Sequence, residues 1–266
     1  MTTDNTIPNI YIGYDSREDQ AYRVLRESIL DHTSAPVNII PLKQGRLRDI
    51  NFYRRSYYVS GDGIKLDDTD RKPFSTEFSF TRFLVPFLNM HRGTALFMDC
   101  DMLVRSDIME VFDIPKHSER KALWCVKHDY NPKSAIKMDG QVQHQYSRKN
   151  WSSFMLWSCS HPDHKNLTID DVNLKTGWYL HNFQWLDDKD IGEIDQAWNW
   201  LDGHSDDTLD AKNVHFTSGG PWFKEWEPKQ RSDAKYALEW EVLSDSIEVE
   251  EVLGKEKQLK WKKSYV

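Results

Sequence analysis

The sequence predicts an α/β fold with a mostly parallel central sheet. The first observation behind this prediction is a strand–helix–strand succession near the N-terminus, the pattern of a βαβ unit. The second is a series of further short apolar runs along the chain, each about the length of a strand. The third is the length of 266 residues, which is enough for one large α/β domain with a sizeable core.

The first part of the chain supplies the strand–helix–strand unit. Residues 9–15 (NIYIGYD) predict a strand that enters a polar turn. Residues 17–32 carry apolar or small side chains at the spacing i, i+3, i+4, i+7 and i+8, which predicts an amphipathic helix. Residues 37–42 (VNIIPL) predict the second strand, and the turn-rich, charged residues 60–75 predict a surface loop.

The middle of the chain continues the alternation. Residues 75–91 open with a Ser and a Thr before Glu77, which is typical of a helix start. Residues 95–98 (ALFM) predict a short buried strand. Residues 106–113 predict another helix or helical turn, with Ser106 as its candidate N-cap.

The remaining segments predict two strands, a strand with a turn, and a terminal helix. Residues 121–128 (KALWCVKH) and 151–159 (WSSFMLWSC) are the two strands, and 212–223 form a strand that runs into a Gly-Gly-Pro turn. From about residue 229 the chain is charged and helical. Because neither an internal repeat nor a linker is visible, we expect a single domain over residues 1–266.

Composition and charge narrow the functional classes. The net charge of −7 argues against nucleic acid as a partner, because phosphate binding needs a basic surface. The three cysteines lie far apart and form no CxxC pair, so we expect a reducing compartment and a cytoplasmic location. We expect no signal peptide, and no stretch approaches the roughly 20 apolar residues of a membrane-spanning helix.

Two aspartates at the end of the run ALFM carry the main functional signal. Asp99 and Asp101 stand one residue apart, and apolar residues resume directly after them. Two carboxylates this close repel each other unless a proton or a cation lies between them. Carboxylates suit Mg²⁺ or Mn²⁺, and α/β sheets bind ligands at the carboxyl ends of their strands. The pair therefore predicts a divalent metal site, with the capping of a turn as the alternative.

Two further residues extend this signal. His215 ends a late strand and is the candidate third ligand, and its imidazole suits Mn²⁺ better than Mg²⁺. A histidine of the core is the alternative, but the Gly-Gly-Pro turn directly after it favours a ligand. Arg82 stands on an otherwise apolar segment, and a buried guanidinium needs a partner. That partner is either a structural group, such as Asp99, or a phosphate.

Five segments resemble those of GT-A glycosyltransferases, in particular the glycogenin-like family 8 and its bacterial and viral relatives. ALFMDCDMLV resembles their metal site, the DxD motif, which is Asp99-Cys100-Asp101 in this chain. NIYIGYDSREDQAYRVLRESI resembles their first nucleotide-binding strand and helix, and STEFSFTRFLVP resembles the helix whose Arg precedes the DxD motif. WSSFMLWSC resembles the strand that lines the sugar pocket, and HFTSGGPW the C-terminal His motif. The match spans about residues 9–223 and implies a Rossmann-like α/β/α sandwich, with 224–266 as a charged helical extension.

The resemblance implies roles for the matching residues. Asp99, Asp101 and His215 would hold Mn²⁺ or Mg²⁺ against the two phosphates of a nucleotide-diphosphate sugar, a UDP-sugar being favoured. Tyr14 and Asp15 would contact the nucleoside, although a simple Asx turn is an equal interpretation of their position. The candidate contacts of the nucleotide-sugar are Tyr14, Asp15, Arg82, Ser153, Gly219, Gly220 and Trp222.

The implied reaction is the transfer of a hexose-type sugar, with retention at the anomeric carbon, to a glycan, a lipid-linked sugar or another sugar acceptor. The chain departs from the family in two places, and the first is Gly220, which stands where relatives usually carry a Lys. Relatives also often carry an Asp-Gln pair near the reacting carbon. The candidate catalytic residues here are Gln184, Asp187 and Asp188, whereas we expect the pair Asp195 and Gln196 to lie on the surface.

Two other functions stay open at this point. A carbohydrate-binding protein would use exposed tryptophan faces, although we expect about two thirds of the series to be core residues. That series is Trp151, Trp157, Trp178, Trp185, Trp198, Trp200, Trp222 and Trp226. A sugar nucleotidyltransferase would share the fold and the metal, but it would normally show a Gly-rich first loop.

The C-terminal run is basic and carries one tryptophan. Its residues are Lys255, Lys257, Lys260, Trp261, Lys262 and Lys263. Such an end predicts either peripheral contact with an anionic membrane surface or a solvated tail.

Overall fold

The computed structural model describes residues 7–118, 120–128 and 148–263, with side chains up to residue 251. In chain order the strands are β1 (Asn9–Gly13), β2 (Asn38–Leu42), β3 (Tyr57–Val59), β4 (Lys65–Asp67), β5 (Thr94–Met98), β6 (Met102–Val104), β7 (Leu123–Cys125), β8 (Phe154–Ser158), β9 (Ile191–Glu193), β10 (Trp200–Leu201) and β11 (Asn213–His215). The helices are α1 (Asp19–Asp31), α2 (Gln44–Asp49), α3 (Val85–Leu88), α4 (Met109–Asp113), α5 (Ile169–Leu174), α6 (Gly177–His181) and α7 (Arg231–Lys263).

A six-stranded sheet in the order β2-β1-β5-β8-β7-β9 forms the centre of the fold. Strands β2, β1 and β5 run parallel to one another, as do β7 and β9, while β8 is antiparallel to both of its neighbours. Strand β5 is buried over Ala95–Met98, as expected for a strand covered on both faces. The predicted α/β fold with a mostly parallel sheet is confirmed.

A second sheet, in the order β10-β11-β6, brings the late strand β11 beside the DxD motif. Strand β11 is antiparallel to β6, and His215 is paired with Met102. Helices α1 and α7 cover this region, where Trp200, Phe216 and Trp240 belong to a second apolar cluster. This sheet therefore fixes the position of His215 relative to Asp101, although the two residues lie far apart in the sequence.

Two local predictions are wrong. Residues 75–91 do not form one helix, because only a 3₁₀ turn (Thr81–Leu84) and the single turn of α3 are helical. Pro86 lies in the first turn of α3, the only part of a helix that tolerates its missing N–H. Ser106 is not the N-cap of α4, because the carboxylate of Asp107 accepts the hydrogen bond from the N–H of Met109 (3.0 Å).

The terminal helix is confirmed, since α7 extends from Arg231 to Lys263. The lysines and the tryptophan of the basic run have side chains outside the described residues, so membrane contact through them stays a prediction. Among the helices that the structure describes, none combines the length and apolar character needed to span a membrane.

Most of the tryptophan series belongs to the core. Its buried members are Trp157, Trp185, Trp198 and Trp200. Its partly buried members are Trp151, Trp222 and Trp226. Only Trp178 of the series has an exposed indole, with 58% of its surface accessible. A broad platform of exposed tryptophans, as a carbohydrate-binding protein would need, is absent from this series.

Candidate functional site

The DxD motif lies in the turn between β5 and β6. The backbone N–H of Asp99 donates to the carbonyl of Ser153 (2.9 Å), and the N–H of Phe216 donates to the carbonyl of Asp101 (2.9 Å). These bonds bring the carboxyl end of β5, the start of β8 and the end of β11 together. The side chains of Asp99, Asp101 and His215 place ligand atoms within 4.8 Å of one another. The three sequence-predicted metal ligands therefore form one cluster.

A hydrogen-bond chain sets the orientation of His215. Nδ1 of His215 lies 2.9 Å from Oδ1 of Asn199, and Nδ2 of Asn199 donates to Oγ of Ser153 (2.9 Å). Since the amide nitrogen of Asn199 faces Ser153, its oxygen faces the imidazole, and Nδ1 of His215 is the donor. The predicted residue Ser153 thus supports the cluster from behind, and sequence reasoning did not find Asn199 because nothing in its local pattern marks it.

The cluster fits a divalent cation. Nε2 of His215 lies 3.3 Å from Oδ1 of Asp101, so a nitrogen lone pair faces a carboxylate unless a proton or a cation lies between them. A ligand histidine whose other ring nitrogen donates to an oxygen acceptor is the usual arrangement at metal sites. Two carboxylates and one imidazole are donors that suit Mn²⁺, and also Mg²⁺.

The residue between the two aspartates points into the core. Sγ of Cys100 is fully buried and lies 3.3 Å from Oε2 of Glu18. Burial, with the negative charges around it, raises the pKa of the Cys100 thiol well above its usual value, so the thiol stays protonated. It therefore serves as a donor to Glu18 and anchors the turn that presents Asp99 and Asp101.

Arg82 is buried at the same place and contacts the motif directly. Its Nη1 lies 2.9 Å from Oδ1 of Asp99 and donates to the carbonyl of Ser152 (2.7 Å). Its guanidinium lies 5.1 Å from the ring centroid of Phe97. The structural partner considered for Arg82 is therefore present. Because Arg82 also lines the cavity beside the aspartates, a contact with the donor sugar or phosphate stays a prediction.

A cavity of about 270 Å³ opens beside Asp99 and Asp101. Its buried wall is lined by polar and charged side chains, namely Arg82, Lys149, Asn150, Ser152 and Ser153. Its apolar wall is formed by Phe74, Phe78 and Phe80. Towards solvent it is bordered by Asp70, Lys72 and Trp178. The volume lies just below the roughly 300–1,000 Å³ typical of ligand pockets.

His181 and Ser152 form a hydrogen-bonded pair in the cavity wall, with 2.8 Å between Nδ1 and Oγ. Burial lowers the pKa of His181 well below its usual value, and the charges of Arg82 and Lys149 lower it further. The imidazole is therefore neutral at physiological pH. Sequence reasoning missed His181, Lys149 and Asn150, because their signal is a shared cavity and not a motif.

Asp15 lies outside the cavity wall, and its carboxylate is engaged by the protein. The backbone N–H and the guanidinium of Arg17 both donate to it, as does the N–H of Glu77 (3.0 Å). Burial raises the pKa of Asp15, and these hydrogen bonds outweigh the burial and hold that pKa below its usual value. The Asx-turn interpretation is confirmed, and a contact of this side chain with the nucleoside stays a prediction.

Tyr14 is partly exposed at the end of β1. Its hydroxyl donates to Oδ1 of Asp19 (2.7 Å), and Nζ of Lys43 lies 4.3 Å from the ring centroid. The hydrogen bond to Asp19, together with burial, raises the pKa of Tyr14 to about 12. The ring lies outside the cavity wall, so its contact with a nucleoside stays a prediction.

The Gly-Gly turn after β11 does not place Trp222 over the cavity. Gly219 has φ of +110°, which a side chain rarely tolerates, and a Cβ on Gly220 would lie 2.2 Å from the ring of Trp222. The indole packs against Phe216 and Trp240 in the second apolar cluster. Trp222 therefore does not line the cavity, and its contact with the nucleotide-sugar stays a prediction. A larger residue has no room at Gly220 while Trp222 packs there.

The candidate catalytic residues lie on the surface. Gln184 is exposed, Asp187 has 75% of its side chain accessible, and Asp188 has 83% accessible and pairs with Arg148. None of the three lines the cavity beside the aspartates. Their role as catalytic residues stays a prediction that this geometry does not favour.

The alternative Asp-Gln pair begins the 3₁₀ turn that carries Asn199. Asp195 and Gln196 are exposed, as expected, and Oδ1 of Asp195 accepts a hydrogen bond from the N–H of Ala197 (2.8 Å). The turn Gln196–Asn199 ends beside His215. Of the two candidate sets, this pair is the one attached to the metal-ligand cluster.

Sequence comparison identifies one curated relative. No family model matches the chain. The chain is 45% identical over 229 residues to "Protein CDI" of Arabidopsis thaliana, covering 84% of this chain and 83% of that protein.

Comparison with solved structures gives glycosyltransferases. The bifunctional glycosyltransferase WbbM matches with a TM-score of 0.55 at 16% identity, over 85% of this chain and 48% of its own. GlyE of Streptococcus pneumoniae matches with a TM-score of 0.55 at 13% identity, over 93% of this chain and 64% of its own. The galactosyltransferase LgtC, in complex with donor and acceptor sugar analogues, matches with a TM-score of 0.52 at 13% identity, over 90% of this chain and 95% of its own. The chain thus spans less than two thirds of the first two, and the likeness shows a GT-A glycosyltransferase fold.

Proposed function

This chain belongs to the family of Protein CDI of Arabidopsis thaliana, and we propose that it is a metal-dependent glycosyltransferase. It would move a hexose-type sugar from a nucleotide-diphosphate sugar to a sugar acceptor. The observation that carries the proposal is the cluster of Asp99, Asp101 and His215 at the carboxyl end of β5, next to a cavity of about 270 Å³. In this proposal the cluster would bind the cation that holds the diphosphate, and the cavity would bind the sugar.

The residues of this chain divide the work between binding and charge stabilisation. Asp99, Asp101 and His215 would hold the cation, which when bound neutralises the negative charge that grows on the diphosphate. Arg82 and Lys149 add positive charge in the wall beside the aspartates, where burial strengthens electrostatic interactions. Within the cavity they are placed to stabilise the leaving group and to orient the sugar.

The finer properties of the proposal rest on the resemblance described above. We propose a UDP-sugar as donor, Mn²⁺ as the preferred ion and retention at the anomeric carbon, as in the glycogenin-like family 8. We also propose that residues 1–266 form one GT-A domain with a helical extension after residue 223, acting in the cytoplasm on a glycan or lipid-linked acceptor.

A ligand screen of the purified protein tests the proposal. Thermal shift and donor hydrolysis would be measured with UDP-, GDP-, CMP- and dTDP-sugars, each with Mn²⁺, Mg²⁺ or EDTA. We expect a metal-dependent shift with one nucleotide class, and its loss in Asp101→Ala. Asp210→Asn is the matched control, because it changes an exposed carboxylate outside the cavity. If no nucleotide shifts the wild type with any metal, the transferase proposal fails.

A further inference from the structure

Trp178 has the largest exposed fraction of any tryptophan whose side chain the structure describes, and it borders the cavity that ends at the metal-ligand cluster. Single exposed apolar residues are common and need no explanation by themselves. This one differs in its position, because the same cavity reaches from its indole to the carboxylates of Asp99 and Asp101.

The backbone that carries this indole is held on both sides. Oδ2 of Asp70 accepts a hydrogen bond from the N–H of Gly177 (3.2 Å), and Oγ1 of Thr176 caps α6 by accepting from the N–H of Tyr179 (3.1 Å). Nδ2 of Asn182 donates to the carbonyl of Trp178 (2.9 Å). These bonds fix the backbone position from which the indole of Trp178 extends at the border of the cavity.

Exposure defines an inner and an outer end of the cavity. The inner end, at Asp101, Arg82 and Lys149, is buried, whereas Lys72 and Trp178 at the outer end are exposed. If the proposed function is right, the diphosphate of the donor lies at the metal-ligand cluster, and the sugar bonded to it lies in the inner end. The acceptor must then reach the anomeric carbon from the outer end.

The outer end presents the groups that bind a sugar ring. An indole face packs against the apolar C–H face of a pyranose, while a carboxylate and an ammonium bind its hydroxyl groups. Trp178 and Lys72 offer the indole and the ammonium around one opening. Each oxygen of the Asp70 carboxylate accepts one backbone N–H, from Lys72 or from Gly177, and retains a further lone pair for a hydroxyl group.

We propose that the outer end of the cavity is the acceptor subsite, and that it binds a pyranoside whose ring stacks on Trp178. The role of this site as an acceptor subsite rests on the proposed function. The binding of a sugar ring at Trp178 does not, and it is testable without any transfer reaction. A nucleobase stacked on the same indole is the competing occupant, and the test separates the two.

Saturation-transfer NMR on the full chain provides this test, in the presence of UDP and Mg²⁺. The probes are methyl pyranosides of glucose, galactose, mannose and xylose, together with lactose and cellobiose. We expect at least one probe to receive saturation in the wild type. We expect Trp178→Ala to weaken its binding about tenfold, and Trp178→Phe to retain part of it. The UDP signals in the same samples show whether the nucleotide of the donor still binds to each variant.

Leu174→Ala is the control variant, because Leu174 is 68% exposed on the neighbouring helix and does not line the cavity. It should leave the binding of the sugar probe unchanged. The subsite is disproved if no probe binds the wild type, if the probe binds Trp178→Ala as tightly, or if Trp178→Ala loses the UDP signals instead. Should the donor screen fail while the probe still depends on Trp178, the transferase proposal falls and the sugar subsite stands.

Discussion

Nδ1 of His215 lies 2.9 Å from the side-chain oxygen of Asn199, and this bond decides which ring nitrogen faces the carboxylates. Asn199 is itself held, because its amide nitrogen donates to Oγ of Ser153, which donates to the carbonyl of Asn150 (2.7 Å). The lone pair of Nε2 is therefore directed at Asp101 before any ligand binds. The site is preorganised for a cation through residues that do not touch it.

Replacing Asn199 tests this arrangement. We expect Asn199→Ala to lower the affinity for Mn²⁺ by about ten- to a hundredfold, since removing such a partner frees the imidazole to rotate and to change tautomer. Asn199→Asp keeps an acceptor for Nδ1 and should lose less. Isothermal titration with Mn²⁺ measures both. Asn173→Ala removes a buried Asn away from the cluster and should leave the Mn²⁺ affinity unchanged; equal affinity in Asn199→Ala and the wild type would contradict the role of Asn199.

Removing Arg82 leaves Asp99 buried without its 2.9 Å ion-pair partner. We expect Arg82→Ala to lower the free energy of unfolding by about 3–5 kcal/mol in EDTA, because a buried carboxylate loses its compensating charge. Saturating Mn²⁺ should restore part of the loss. Urea unfolding with and without the metal measures the change. In the double variant Arg82→Ala/Asp99→Asn the carboxylate charge is absent, so its stability should exceed that of Arg82→Ala. If it does not, the loss of charge compensation is not the cause.

The two candidate catalytic sets make opposite predictions. Gln184→Ala and Asp188→Asn alter exposed side chains outside the cavity, so we expect changes in stability within about 0.5 kcal/mol and unchanged activity. Asp195→Ala removes the carboxylate that accepts the hydrogen bond from the N–H of Ala197 at the start of the turn that ends at Asn199, so we expect at least a tenfold loss of donor hydrolysis. Steady-state rates of the three variants decide between the sets. A large loss in Asp188→Asn with full activity in Asp195→Ala would reverse the assignment.

His164 makes stability depend on pH. Burial lowers the pKa of His164 to about 4, with a further decrease from His161, while its hydrogen bond to the carbonyl of Ala122 opposes the shift. The unfolded chain takes up a proton on this residue below about pH 6.5, whereas the folded protein resists protonation until about pH 4. Its contribution to stability is therefore complete above pH 6.5 and is lost as the pH falls towards 4.

The size of this effect follows from the two pKa values. At pH 5 the wild type should have lost about 2 kcal/mol through His164 relative to neutral pH. His164→Gln retains a donor for Ala122 and cannot be protonated, so its stability should fall less between pH 7.5 and pH 5. Urea unfolding at both pH values measures the difference, and parallel losses in the two proteins would exclude His164 as the source.

The local pattern of the sequence was sufficient where neighbouring residues decide the outcome. The α/β alternation, α1 and the strand ALFM were all predicted, because periodicity and apolar runs reflect burial along one element. It was insufficient at residues 75–91, where Pro86 and burial from all sides override the helix start at Glu77. The position of Ser106 as a cap failed for a similar reason, since Asp107 competes for the same N–H.

By itself the sequence determined the fold class and the residue types of the candidate metal cluster, because apolar periodicity and the chemistry of Asp and His are properties of the residues themselves. Only the tertiary structure decided which polar residues share a site. Asn199 orients His215, Asp15 is engaged by Arg17, Trp222 packs in a core cluster, and Asp188 faces solvent. These outcomes depend on contacts between distant segments, in which burial and available hydrogen-bond partners fix each side chain, and no local pattern encodes them.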